Sequence, residues 1–131
     1  MITNPAQLHD PAGFGYSHVA RVGDLVFVAG QYASGPDGAV PVAGFADQVE
    51  LSFDNLGIAL RSAGLDYADV FQLRTYIVDH SPDKLAVVGA AVARRWPGKP
   101  PVQTLLGVAA LALPDMSFEV DAVGQVPTDR R

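Results

Sequence analysis

The sequence predicts an α/β (α+β) fold in the order β-β-α-β-α-β-β, with two helices packed on one face of a mixed sheet. Three observations predict it. Short runs rich in β-branched residues are separated by Gly and Pro turns, two segments carry apolar residues at three- or four-residue spacing, and the 131 residues match one ordinary domain. No repeat or long linker interrupts this order, so we expect residues 1–131 to form a single domain.

A hairpin pattern predicts the first two strands. Residues 17–22 and 25–31 are rich in apolar and β-branched residues, and Gly23-Asp24 separates them. A two-residue break of this kind between two such runs is typical of a tight hairpin turn. A second turn is expected at residues 35–38, where the sequence is Gly-Pro-Asp-Gly.

The two helices have recognisable start and stop signals. Apolar residues recur at helical spacing over residues 45–63, and Gly64 is placed to end this first helix. Ser81-Pro82 opens the second helix, because serine can cap free amide groups and proline is tolerated in the first turn. We expect this helix to continue to Trp96, just before a Pro-Gly pair.

Further strands are expected at residues 70–78, 104–111 and 116–123. In residues 70–78, alternation puts Gln72, Arg74 and Tyr76 on one face of the strand and Phe71, Leu73, Thr75 and Ile77 on the other. In residues 116–123, it puts Met116, Phe118, Val120 and Ala122 on one face and Ser117, Glu119 and Asp121 on the other. Both patterns indicate half-buried strands.

Charge and hydrophobicity restrict the partners. The formal net charge is −5, which opposes binding to phosphate backbones, so we expect no nucleic-acid partner. Only 18% of the residues are charged and 49% are hydrophobic. A surface so short of charge favours burial of some faces between copies of the chain, and we therefore expect a homo-oligomer.

The absence of several motifs excludes other chemistries. There is no cysteine, which excludes disulfides, thiolate catalysis and thiolate zinc sites, and there is no long apolar run, so no membrane partner is expected. His9, His18 and His80 do not have the spacing of a metal site. We therefore expect no metal. The absence of a Gly-rich phosphate loop and of a nucleophile elbow disfavours a nucleotide cofactor and a serine nucleophile. The lack of cysteine fits a cytoplasmic location.

Several separated motifs occur in order along the chain. They are Gly-Tyr-Ser-His at 15–18, Val-Ala-Gly-Gln at 28–31, Asp-Asn-Leu at 54–56, Pro-Val-Gln-Thr-Leu-Leu-Gly at 101–107 and Phe-Glu-Val-Asp at 118–121. Together they resemble the motifs of the reactive intermediate deaminase family, RidA/YjgF, also called endoribonuclease L-PSP. The chain resembles a divergent member, because Gln103 stands where the family's arginine would stand.

This resemblance implies a chorismate-mutase-like fold assembled as a homotrimer, with a cleft between neighbouring subunits. Typical members hydrolyse imines or enamines formed from amino acids, and release ammonia and a 2-oxo acid without metal or cofactor. Their arginine anchors the substrate carboxylate, and a glutamate on the last strand positions or activates water. Carried over to this sequence, the catalytic residue is Glu119. The substrate-binding positions are Tyr16, Ala29, Gly30, Gln31, Gly89, Gln103 and Leu105.

Departures from the family pattern put its activity in question. Ala29 lacks a serine hydroxyl, Gly89 takes the place of an asparagine and Gln103 that of the arginine. A glutamine amide is neutral, whereas arginine is charged and forks two hydrogen bonds to a carboxylate. An anionic substrate would lose a contact of about 1.5–3 kcal/mol, so we expect 2-imino acid deaminase activity to be weak or absent.

The individual residues allow more than one interpretation. Glu119 fits either a solvated strand face or a cleft carboxyl whose pKa is raised by desolvation. Gln103 fits either a contact between subunits or recognition of a neutral amide or carbonyl group. Arg74 fits either a surface ion pair or a cation that replaces the family's arginine. Tyr16 fits either a hydrogen-bond donor in the cleft or a ring that covers the hairpin.

Two functions follow, and the sequence leaves both open. The first is binding or hydrolysis of a small imine, enamine or related carbonyl compound in a cleft between subunits. The second is a non-catalytic trimer that keeps the cleft for small-ligand binding or regulation. A ribonuclease is disfavoured by the acidic charge.

Overall fold

One mixed sheet organises the chain. The computed structural model describes residues 1–130, and its strands stand in the order β1-β2-β3-β6-β4-β5 across the sheet. Neighbouring strands are antiparallel except β4 and β5, which are parallel and connected through a helix. The strands are β1 (Ile2–Thr3), β2 (Val19–Val22), β3 (Leu25–Tyr32), β4 (Val70–Val78), β5 (Val102–Val108) and β6 (Phe118–Gln125). The predicted order is confirmed, with the short β1 as an addition.

Two helices cover one face of this sheet, as predicted. Helix α1 spans Phe45–Ser62, and Gly64 follows it with φ +79°, a left-handed conformation in which its N–H reaches the carbonyl of Arg61. Helix α2 spans Pro82–Arg95, and the Ser81 hydroxyl accepts a hydrogen bond from the Lys84 amide. Among residues 1–130, no helix combines the length and hydropathy needed to cross a bilayer.

The hydrophobic core lies between the helices and the sheet. Phe53 from α1 packs against Phe118 from β6, with ring centroids 5.7 Å apart, and both side chains are fully buried. Burial of a side chain of this size contributes about 1.5–3 kcal/mol. Trp96 closes the end of α2 by donating from its indole N–H to the carbonyl of Tyr67 at 2.7 Å. Neither α1 nor α2 packs on the opposite face of the sheet, which is called the helix-free face below.

Three predicted details differ from the structure. Phe71 does not share the buried face of Leu73, because a β-bulge between Val70 and Gln72 turns its ring outward. Strand β5 covers Val102–Val108 instead of residues 104–111, because its pairing with β4 runs from Gln72 against Val102 to Val78 against Val108. Strand β6 covers Phe118–Gln125 instead of residues 116–123, because its pairing with β4 starts at Phe118 and its pairing with β3 continues to Gln125.

Candidate functional site

A cavity of about 360 Å³, here called the Glu119 cavity, opens on the helix-free face of the sheet. Strands β3, β4 and β6 supply its floor, and the loop that precedes β6 supplies one wall. Its lining residues are Phe14, Tyr16, Ala29, Gly30, Tyr32, Tyr76, Ala112, Leu113, Met116, Glu119 and Asp121. Of the predicted site residues, the structure therefore brings Tyr16, Ala29, Gly30 and Glu119 together.

A β-bulge in β3 places Gly30 beside Glu119. The pairing of β3 with β6 shifts between Val28 and Gln31, so that Ala29 and Gly30 stand opposite a single residue, Asp121. The backbone at Gly30 then lies so close to Glu119 that a Cβ there would be 2.6 Å from the carboxyl carbon and from Oε2. Only a residue without a side chain leaves the Glu119 carboxyl in this position.

The Glu119 carboxyl is partly buried, and no described side chain balances its charge. Neither a hydrogen bond nor an ion pair to it occurs among the side chains of residues 1–129, and none of the described lining residues is Lys, Arg or His. Desolvation raises the pKa of Glu119 above its usual value, and the nearby Asp121 carboxylate raises it further. A carboxyl with a raised pKa can serve as a general acid or base.

Asp121, two residues along the same strand face, has partners of its own. Arg74 donates from Nε to Asp121 at 3.0 Å, and the Tyr76 hydroxyl donates to the other carboxylate oxygen at 2.7 Å. The Arg74 side chain is 56% exposed. Of the two interpretations of Arg74, the structure therefore supports the ion pair, because the guanidinium is bound to Asp121 and does not line the Glu119 cavity.

Three tyrosines line the cavity, but their hydroxyl groups have different partners. Tyr32 donates to the carbonyl of Gly38, and Tyr76 donates to Asp121. The Tyr16 hydroxyl contacts Nε2 of His9. Desolvation, followed by the charges of Tyr32 and Glu119, raises the pKa of Tyr16, while desolvation and the hydrogen bond to Asp121 raise the pKa of Tyr76 to about 12. All three remain neutral phenols near neutral pH.

Gln31 lies behind the cavity instead of lining it. The side chain is 1% exposed, and its amide nitrogen donates to the ring of His18 at 3.1 Å and to the carbonyl of Ala29 at 3.2 Å. The bulge explains this position, because it turns Ala29 and Gly30 toward the cavity and Gln31 toward the helices. The contacts of Gln31 keep the bulged backbone in place.

Gly89, Gln103 and Leu105 belong to a different region of the chain. They line a groove of about 520 Å³ between α2 and β5, here called the α2–β5 groove. Gln103 donates from its amide nitrogen to the hydroxyl of the buried Thr75 at 3.0 Å. Thr75 points toward the helices, whereas Glu119 points away from them, so Gln103 and Glu119 lie on opposite faces of the same sheet.

The sequence interpretation missed several cavity residues. Tyr76 and Asp121 share strand faces with Arg74 and Glu119, so the predicted alternation was a signal that could have found them. Phe14, Leu113 and Met116 come from turns and loops, where no periodicity exists to locate them. Within residues 1–130, no three His, Asp or Glu side chains converge as a metal-binding group.

Comparisons with known proteins agree with this fold. The family model described as Endoribonuclease L-PSP matches residues 8–126. The RutC family protein YjgH of Escherichia coli is 32% identical over 112 residues, which cover 86% of this chain and 83% of that protein. A solved structure of protein YJGH superposes with a TM-score of 0.87 at 31% identity, covering 97% of this chain and 96% of the other.

One further solved structure extends the likeness of the fold. It is Escherichia coli TdcF with bound serine, which has a TM-score of 0.85 at 23% identity and covers 97% of this chain and 99% of its own. The matched region includes both the Glu119 cavity and the α2–β5 groove. From its sequence and its fold together, the chain belongs to the Endoribonuclease L-PSP family, the RidA/YjgF family.

Proposed function

We propose that the chain forms a homotrimer that binds or hydrolyses a small imine, enamine or related carbonyl compound in a cleft between subunits. The Glu119 cavity of one subunit forms one side of this cleft, and the α2–β5 groove of its neighbour forms the other. The observation that carries the proposal is the Glu119 carboxyl, which lies against Gly30 and has no ion-pair partner among the side chains of residues 1–129. Such a group is costly to bury, and catalytic sites are where that cost is commonly retained.

Two copies are needed because the predicted site residues are divided within one chain. Glu119 and Gln103 cannot meet across their own sheet, since the strands separate them. The helix-free face and the edge strand β5 also expose large apolar side chains, including Phe27 at 43% and Leu106 at 44%. An apolar sheet face of this kind favours association with further copies. Light scattering should give three times the chain mass of 13.8 kDa.

Hydrolysis at this site needs one proton acceptor. Ionised Glu119 takes a proton from water as the water oxygen bonds to the imine carbon, and it passes this proton to the imine nitrogen, which gives a carbinolamine. Glu119 then takes the hydroxyl proton of the carbinolamine and delivers it to the nitrogen as the carbon–nitrogen bond breaks. A carbonyl compound and ammonia are released, and Glu119 is ionised again. A group whose pKa is raised toward neutral pH can perform both transfers.

Charge determines which substrates fit. The described lining of the Glu119 cavity contains two carboxyl groups and no basic side chain. The α2–β5 groove contributes Gln103, whose amide is neutral. A substrate carboxylate would therefore meet negative charge without a counter-ion, so a neutral carbonyl or imine compound is preferred over a 2-imino acid.

Ammonia release tests the enzyme proposal. Freshly generated 2-aminoacrylate is added to the wild-type chain, to Gln103→Arg and to Glu119→Ala. We expect weak or no release by the wild type, a gain in Gln103→Arg, and loss of that gain when Glu119→Ala is added. Asp83→Asn, an exposed change at the start of α2, is the matched carboxylate control. Strong wild-type release from this anionic substrate would contradict the proposed role of Gln103.

The alternative function is a non-catalytic trimer that binds a small ligand or regulates a partner. The TdcF structure holds serine, so a protein of this fold can bind a small molecule. If no variant releases ammonia while a neutral carbonyl probe such as pyruvamide still perturbs NMR signals of the cavity residues, binding without catalysis is supported. The absence of cysteine suits a reducing, cytoplasmic setting for either function.

A further inference from the structure

His9 forms the wall behind Tyr16 and is 3% exposed. Its Nε2 lies 2.5 Å from the Tyr16 hydroxyl, and its Nδ1 lies 3.0 Å from the hydroxyl of Ser34. A neutral imidazole donates from one nitrogen and accepts at the other. The location of the ring proton therefore decides whether Tyr16 gives its own proton to His9 or keeps it for the cavity.

Ser34 indicates the direction of these hydrogen bonds. Its hydroxyl oxygen already accepts a hydrogen bond from the amide nitrogen of Asn55 at 3.3 Å. Among the side chains of residues 1–129 that the structure describes, His9 Nδ1 is the only acceptor bonded to the Ser34 hydroxyl. Ser34 is 6% exposed, and a buried hydroxyl proton without an acceptor costs about 1–3 kcal/mol. Nδ1 of His9 should therefore accept, which leaves the ring proton on Nε2.

We propose that neutral His9 is a positioning residue, which donates from Nε2 to the Tyr16 oxygen and thereby directs the Tyr16 O–H into the Glu119 cavity. The role rests on the proposed function, in which this cavity holds the ligand. The other two cavity phenols already use their protons, Tyr32 on the Gly38 carbonyl and Tyr76 on Asp121. Tyr16 is then the phenol that can donate to a ligand.

The surroundings of His9 favour its neutral form. Burial lowers the pKa of His9, and the nearby His18 lowers it further, whereas Asp10 acts in the opposite direction. The His18 ring lies 4.9 Å from the His9 ring and donates from its own Nε2 to the His9 carbonyl at 2.9 Å. Tyr32 and Phe14 provide the other rings around His9, at 5.4 and 5.7 Å. A cationic His9 would also deprive the Ser34 hydroxyl of its acceptor.

This arrangement defines the ligand atom that Tyr16 meets. A fixed O–H donor selects an acceptor, such as a carbonyl oxygen or an imine nitrogen, over an N–H group. The same donor would stabilise negative charge that develops on that atom as water adds. The proposed substrate class is thus narrowed to neutral compounds with an acceptor at the reacting carbon.

The position of the proton can be measured without any ligand. Long-range ¹H–¹⁵N NMR spectra of histidine-labelled protein at pH 7 distinguish the two neutral tautomers and the cation, and the His9→Gln variant assigns the His9 signals. We expect a neutral ring with its proton on Nε2. A proton on Nδ1, or on both nitrogens, would overturn the proposal. Because no ligand is used, this result is independent of whether the cavity is a catalytic site.

Two variants test the effect on binding, with pyruvamide as the probe. Glutamine at position 9 can still place an amide donor near Tyr16, whereas leucine cannot. We expect His9→Leu to weaken pyruvamide binding by about tenfold, and His9→Gln to retain most of it. His80→Gln, in an exposed loop, is the control. Equal losses in both His9 variants would overturn the donor role, while failure of the wild type to bind would count against the proposed function alone.

Discussion

The backbone of Gly30 and the carboxyl group of Glu119 are packed so closely that a methyl group at position 30 would lie 2.6 Å from the carboxyl carbon. Real side chains do not approach to that distance, so one of the two groups would have to move. Glu119 is held at its Cα by pairing with Tyr32 and Tyr76, but its carboxyl end can shift. The position of the Glu119 carboxyl group therefore depends on glycine at position 30.

Gly30→Ala should displace the Glu119 carboxyl and remove ligand binding or catalysis while the chain still folds. We expect the free energy of unfolding to fall by about 1–3 kcal/mol, in the range of overpacked sites. Denaturant unfolding and the pyruvamide titration measure the two effects. Gly13→Ala is the control, because a Cβ there meets no atom within 4 Å. Unchanged binding in Gly30→Ala would contradict the placement of the ligand beside Glu119.

Glu119→Gln should stabilise the chain at neutral pH. The folded pKa of Glu119 is raised by desolvation, so the ionised carboxylate destabilises the native state. We expect the variant to increase Tm by about 2–5 °C at pH 8. The difference should shrink as pH falls through the raised folded pKa toward the unfolded value, because both states then hold the proton. A difference that grew at low pH would show that the pKa is lowered instead.

The pH dependence of catalysis should follow the same carboxyl group. Glu119 must be ionised to accept a proton from water, so kcat/KM for a neutral imine should rise with pH through the raised pKa of the free enzyme. The midpoint should lie above about 4.3, the ordinary value for glutamate. Measurement of kcat/KM between pH 4 and pH 9 checks this. If kcat/KM instead falls as the pH is raised through this midpoint, Glu119 acts as a general acid.

Asn55→Ala should destabilise the wall behind the cavity. The Asn55 amide nitrogen donates to the carbonyls of Tyr32 and Ser34 and to the Ser34 hydroxyl, all of them buried. Removal of this donor leaves buried acceptors unpaired, and we expect a loss of about 2–4 kcal/mol in denaturant unfolding. Asp54→Ala, next to it on the exposed side of α1, should cost no more than about 1 kcal/mol. Similar losses in both variants would contradict this assignment.

Gln48→Ala should loosen the loop that precedes β6. The buried Gln48 side chain donates to the carbonyls of Val42 and Asp115 and accepts from the amide of Ser117. Because Met116 in this loop lines the Glu119 cavity, we expect both weaker pyruvamide binding and a stability loss of about 2–3 kcal/mol. Hydrogen exchange at the Ser117 amide measures the local effect. Unchanged protection of that amide would count against the anchoring role.

The elements were predictable where the chain carries a local signal. Gly64 and Ser81 marked helix boundaries because the left-handed conformation and the capping hydroxyl depend on the residue itself. The bulge at Phe71 and the end of β5 were not predictable, since both depend on the partner strand. Alternation alone could not show that Phe71 leaves the buried face.

Some features of the candidate site could likewise be predicted from local sequence, whereas others depend on residues distant in the chain. Alternation placed Glu119 and Asp121 on one strand face, and the structure keeps them together at the Glu119 cavity. Nothing local to His9 indicated that its ring would support Tyr16, because Ser34 and Asn55 complete the arrangement from distant parts of the chain. The resemblance grouped Gln103 with Glu119, a pairing that a single chain cannot make.

The bulge in β3 also determines how the strand responds to the deletion of a residue. Two residues, Ala29 and Gly30, stand opposite Asp121, and the strand then resumes regular pairing with Gln31 against Val120. Deletion of either residue would leave one residue opposite Asp121 and restore regular pairing, so Gln31 and Tyr32 would keep their faces of the sheet. The bulge itself would be lost, and with it the close approach of the Gly30 backbone to the Glu119 carboxyl. A one-residue deletion at this point should therefore alter the Glu119 cavity while the sheet stays paired, whereas deletion of a regularly paired residue of β3 would turn the rest of the strand over.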